Sequence, residues 1–177
     1  MKKLIIFLIS VCLLLSLTGC GGNSYKAAVT DYLRVHRAGE TEKLESLVPK
    51  QVLDQQTQDK TLNIKTRKND IKEYYNGLLK SLKVLYGEDY KFEVEVTGKE
   101  KVSKNKLNDV KKRLNERYDI KEKSVKQLVE ADFTITHSSS KKEKSFDSKI
   151  LVVKINNRWY VCNENGDFGI INNQLNY

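Results

Sequence analysis

Three thiols, two imidazoles and one oxygen-rich turn are the first places where this 177-residue chain could do covalent or metal chemistry. Cys12 sits in an apolar N-terminal run, Cys20 directly follows Leu17-Thr18-Gly19, and Cys162 lies in an apolar alternating segment. A thiol attacks only as thiolate, which needs an activating base or cation beside it. Cys162 sits in a strand pattern instead and reads as core. A metal site needs clustered ligands at short spacing, and His36 and His137 are far apart with no cysteine at ligand distance. Asn163-Glu164-Asn165-Gly166-Asp167 gathers oxygen atoms around a glycine. It lacks the ligand spacing and closing bidentate glutamate of a calcium loop and reads as a turn. No Gly-rich phosphate loop and no nucleophile elbow occurs. The expectation is a chain with no catalytic residue, no cofactor and no metal.

The first twenty residues, MKKLIIFLISVCLLLSLTGC, place Lys2 and Lys3 ahead of an almost wholly apolar stretch from Leu4 to Leu17. Small residues follow. This is the order of a secretory signal peptide. A transmembrane span needs about 20 apolar residues, and this run is shorter. Leu17-Thr18-Gly19-Cys20 resembles the lipobox of bacterial lipoprotein precursors of the Gram-positive type. The resemblance implies cleavage before Cys20, a diacylglyceryl thioether (with palmitate-like chains) on its sulfur, and attachment to the outer face of the cytoplasmic membrane. Two acyl chains anchor a protein stably where one does not. The expected organisation is a signal peptide over 1–19, a lipidated tether over 20–23 and one domain over 24–177. With Cys12 removed and Cys20 acylated, Cys162 has no disulfide partner.

Charge restricts the partners. The full chain has 32 basic and 23 acidic side chains, and losing Lys2 and Lys3 lowers the net charge from +9 to +7. From Lys99 to Lys126 there are 11 basic against 5 acidic residues. That stretch is either a contact for anionic lipid or acidic wall polymer or an ordinary solvated helix face. An exported, tethered chain without a nucleic-acid motif is not expected to bind nucleic acid.

The elements that would position any site follow from hydrophobic spacing. Tyr25, Ala28, Val29, Tyr32, Leu33 and His36 recur at helical intervals, with Ser24 as cap and Gly39 as stop. Thr41 can cap a second helix through Leu44, Leu47 and Val48, and Pro49 breaks it or begins another turn toward Leu53. Residues 54–68 are polar, with at most a short strand near Leu62 and Ile64. Ile71, Tyr74, Tyr75, Leu78, Leu82, Leu85 and Tyr86 form one wide apolar stripe ended by Gly87, read as core rather than as a pocket wall. Phe92, Val94 and Val96 alternate as a strand. Helical spacing returns through Leu107, Val110, Leu114 and Tyr118. Val129 to Ile135 and Ser145 to Ile155 are strands, and Asn156-Asn157 turns the chain into Arg158–Cys162. Ile170 and Ile171 are expected to dock back.

This order predicts an α+β domain with helices packed on one face of a curved, mainly antiparallel sheet. Ending in Ile150 to Ile155, Asn156-Asn157 and Arg158-Trp159-Tyr160-Val161, it resembles the NTF2-like (cystatin-like cone) domain found in small lipoproteins. The resemblance implies a cone that holds a small amphiphile, pairs with another protein, or serves as an enzyme pocket. In family enzymes an aspartate works with histidine or tyrosine, and here the candidates are Asp132 with Tyr32, Tyr74 or His36. Glu130, Asp132, Thr134 and Thr136 share one strand face, opposite Val129, Ala131, Phe133 and Ile135, which reads as a solvated face. The expected function is therefore a membrane-tethered, extracytoplasmic, non-catalytic binding or interaction module. An acid–base pocket enzyme is the alternative.

Overall fold

The computed structural model describes residues 24–168. Cys12, the lipobox residues Leu17, Thr18, Gly19 and Cys20, the tether, and Ile170 and Ile171 lie outside the described residues.

Helix α1, Tyr25–Ala38, starts where the Ser24 side chain accepts a hydrogen bond from the Ala27 amide at 3.0 Å. It stops at Gly39, whose φ of 68° is left-handed and whose amide donates to the Arg34 carbonyl. A Cβ at Gly39 would also stand 2.7 Å from the Tyr75 ring, so both backbone and packing require glycine. Val29, Tyr32, Leu33 and Val35 are buried. Thr41–Leu47 is a 3-10 helix whose Leu44 and Leu47 enter the core, but Thr41 is a buried residue of its first turn and not its cap. Pro49 opens helix α2, Lys50–Gln58, because its fixed φ of -58° suits a helix start.

The expected strand near Leu62 and Ile64 is absent. Asn63 instead caps helix α3, Ile64–Tyr86, by accepting from the Thr66 amide at 3.0 Å. The first two turns of this helix are polar apart from Ile64, so periodicity revealed only its later part. The apolar stripe is a second correction. Of its residues only Ile71 and Tyr86 are buried, because α3 packs on α1 and the 3-10 helix and not down its whole length on the sheet.

Strands β1 (Lys91–Lys101), β2 (Val125–Ser138), β3 (Glu143–Ile155) and β4 (Arg158–Cys162) form one antiparallel sheet in the order β1-β2-β3-β4. Asn156 takes the left-handed φ of 53° that closes the β3–β4 turn. A bulge between Val96 and Gly98 shifts the β1 register, which bends a strand locally. Helix α4, Lys104–Tyr118, interrupts β1 and β2, with the Ser103 side chain accepting from the Lys106 amide and Asp119 turning left-handed at its end.

The two faces of the sheet are covered differently. Val129, Ala131, Phe133, Val152 and Trp159 face α1, where the Tyr25 and Trp159 rings meet edge-on at 6.2 Å. Fully buried Phe133 and its neighbours supply about 1.5–3 kcal/mol each by leaving water. On the reverse face, Tyr160 meets Phe168 at 6.1 Å, and Phe168 meets Tyr118 of α4 at 6.0 Å. The helices therefore do not share one face. The stripe of α4, including fully buried Val110 and Leu114, needs an apolar partner, and α1 already occupies the front of that end. Beyond α4 the reverse face is polar.

Candidate functional site

Register brings an aromatic cluster together at the far end of the front face. His137 pairs with Phe92 on one side and Lys144 on the other, and neighbouring Ile135 pairs with Phe146. Phe92, His137 and Phe146 thus point the same way, and their ring centroids lie 5.8 Å from the imidazole. The turn after α3 returns Tyr90 over this spot. Its hydroxyl lies 2.7 Å from His137 Nδ1, and Tyr86 packs 6.0 Å from the same ring. Asp89 fixes that turn to the β2–β3 hairpin by accepting from the Ser140 amide at 2.7 Å, which holds its carboxyl below the usual range.

Burial sets the protonation states. It pushes the Tyr90 hydroxyl up to about 12, with Tyr75 and Tyr86 adding to the shift. It also lowers His137, and the charge of Arg37 acts in the same direction. Both groups stay neutral near pH 7, so the bond joins a phenol and a neutral imidazole, with the tautomer deciding which of the two donates.

The rim is apolar and cationic. Phe146 is 45% exposed, an unusual amount of water contact for a large apolar side chain. Lys142 Nζ lies 5.0 Å from the Tyr86 ring centre and Lys144 Nζ 4.6 Å from that of Phe146. An apolar surface with one internal hydrogen bond and an ammonium rim suits the tail and head of an anionic amphiphile.

The acid–base group expected from sequence is not assembled. Asp132 lies on the reverse face, 3.4 Å from Lys149, whose ammonium also stands 3.6 Å from Glu100 and 3.7 Å from Glu130. The hydrogen bond and charge of Asp132 hold Lys149 above its ordinary range. Tyr32 and His36 belong to α1 on the front, with rings 4.5 Å apart, and Tyr74 is at the surface. Burial, helped by Arg67 and Arg37, lowers His36 to about 4, and its shielded Nε2 has no hydrogen-bond partner among the described residues. Cys162 is buried and pushed up to about 12, the opposite of an activated thiol.

The basic helix is partly occupied by its own chain. Lys106 pairs with Glu164 at 3.2 Å, Arg113 donates to the Glu164 carbonyl and to Asn165 Oδ1, and Arg117 holds Asp167. Asn163 Oδ1 accepts from the Asn165 and Asp167 amides, so the oxygen-rich segment is a turn clamped on α4. A separate cleft of about 250 Å³ between α1, the 3-10 helix and β4 is crossed by the Asp31–Lys43 ion pair at 2.6 Å.

Sequence reasoning missed Tyr90, His137 and Phe146 as one group. Alternation placed Phe92 on a strand, but nothing local indicates that the turn carrying Tyr90 meets the end of β2. Comparison of the chain with protein-family models, curated proteins and solved structures returns no match.

Proposed function

We propose that this chain is a lipoprotein held on the extracytoplasmic face of the cell membrane through Cys20, and that its NTF2-like domain is a non-catalytic binding module. Leu17-Thr18-Gly19-Cys20 after an apolar leader supports the anchor. The observation that carries the binding role is half-exposed Phe146 beside the Tyr90–His137 pair, in a cluster completed by Phe92 and Tyr86. The ligand class that fits is a small anionic amphiphile, with its tail on the aromatic surface and its head near Lys142 and Lys144.

Intact mass and membrane partition of the native protein beside Cys20→Ala test the anchor. Added acyl mass on a chain starting at Cys20, lost together with membrane retention in the variant, is the expected result. An unmodified chain released to the medium refutes it. Titration with a fluorescent long-chain fatty acid tests the binding role, and failure to saturate would remove it.

The alternative is an acid–base pocket enzyme. Only the Tyr90–His137 hydrogen bond favours it, because a tyrosine and a histidine in contact can exchange a proton.

A further inference from the structure

The end of the domain where the tether arrives has its own chemistry. Tyr25 is the first residue of α1, one position after Ser24. Lys99 Nζ lies 4.6 Å from the centre of the Tyr25 ring and 5.8 Å from that of Trp159, and Lys154 Nζ lies 5.7 Å from the Trp159 centre. An aromatic pair is thus flanked by two ammonium groups, neither bound to a carboxylate among the described residues. Further cations gather at the same end. Lys26 is exposed in the first turn of α1, Lys101 ends β1, Lys126 lies in the irregular start of β2, and Arg158 opens β4. The acids nearby are Asp31, paired with Lys43 in the cleft that Arg158 and Trp159 line, Glu100, directed at Lys149, and Glu122.

Chain length supplies the second observation. Four peptide units separate Cys20 from Ser24, a reach of at most about 14 Å. A lipid on Cys20 therefore keeps the start of α1 close to the bilayer, where a surface potential decaying over about 8 Å at physiological salt still acts. The positive N-terminal end of α1 points to the same side.

Resting on the lipoprotein reading, we infer that the end bearing Tyr25, Trp159, Lys99 and Lys154 lies against an anionic bilayer. Lysines meet lipid phosphates there, and the half-buried Tyr25 ring sits at headgroup level, where aromatic side chains concentrate, with the buried Trp159 indole directly behind it. This contact orients the domain. Phe92 and Lys99 are seven residues apart on β1, so at about 3.4 Å per residue the His137 cluster stands roughly 20 Å farther from the membrane.

The chain has a single tryptophan, so Trp159 reports its own depth. The mature lipidated protein is reconstituted into vesicles of phosphatidylcholine, with and without phosphatidylglycerol, that carry a headgroup spin label. Trp159 emission is expected to be quenched in the anionic vesicles, and the quenching to be lost in Lys99→Glu/Lys154→Glu. Lys154 touches the indole, so Lys26→Glu/Lys101→Glu, which leaves the indole's contacts alone, must also reduce it while the melting curve stays unchanged. A vesicle-bound protein whose Trp159 is unquenched overturns the orientation and leaves the anchor standing. A chain without acyl mass overturns both. Quenching indifferent to phosphatidylglycerol, with the cations instead titrated by soluble teichoic acid, overturns the bilayer in favour of a wall polymer.

Discussion

The hydroxyl of Tyr90 stands 2.7 Å from Nδ1 of His137 and ties the turn after α3 to the end of β2, 47 residues along the chain. Tyr90→Phe removes one part-buried hydrogen bond and is expected to cost about 1 kcal/mol. It also removes the bond that biases the imidazole between its two neutral tautomers. Urea unfolding reads the first effect, and the ring nitrogen shifts of His137 read the second. A variant with wild-type stability and unchanged nitrogen shifts would show that the bond does not form.

His36 predicts how stability depends on pH. Its folded value of about 4 lies below the ordinary histidine value of 6.5. The unfolded chain therefore binds the proton more readily, and stability present above pH 6.5 is lost as pH falls toward 4. The full loss is on the order of 3 kcal/mol. His36→Phe keeps a ring against Tyr32 and removes the unpartnered Nε2. Its unfolding midpoint is expected to match wild type near neutral pH and to exceed it at pH 4.5. Identical pH profiles would place the acid sensitivity elsewhere.

Exposed and buried aromatic residues should respond in opposite ways. Tyr74→Ser, Leu85→Ser and Phe146→Ser alter side chains already in water and should change stability by less than about 1 kcal/mol. Phe146→Ser should weaken fatty-acid binding several-fold, with the two α3 variants as surface controls. Phe133→Ala, in the closed part of the core, should cost about 3–5 kcal/mol. Paired denaturation and ligand titrations separate the two classes.

Gly39→Ala tests the end of α1. The left-handed φ of 68° disfavours a side chain, and the new methyl would overlap the Tyr75 ring 2.7 Å away. A loss of roughly 2 kcal/mol is expected from strain and forced movement together. Thermal melting of the single variant suffices, and an unchanged midpoint would mean that α3 yields freely.

Much of the architecture was legible. Strict alternation from Phe92 to Val96 and from Val129 to Ile135 fixes which side chains turn inward, and the structure places Asp132 on the polar side that this alternation assigns. The Asn156-Asn157 turn is local chemistry and appears where expected. Periodicity identifies an apolar stripe without saying what covers it. Tyr74 and Leu85 therefore fit a core pattern yet are exposed, and α4, expected on the same face as the other helices, packs on the reverse one. The Tyr90–His137 pair depends on strand register across β1 and β2, which no short window encodes. The long polar opening of α3 hid behind a cap residue, Asn63, that functions only once the helix exists.

Near the Asn156-Asn157 turn the sheet is sandwiched, with α1 in front and α4 and Phe168 behind. At the His137 end its front bears a half-exposed aromatic surface and its back faces water. Local opening free energy follows packing, so amide protons should exchange slowest where the central strands β2 and β3 pair over Leu128–Ala131 and Ile150–Val153, and progressively faster toward Ser139–Lys142. The domain is stiff at its root and compliant at its tip.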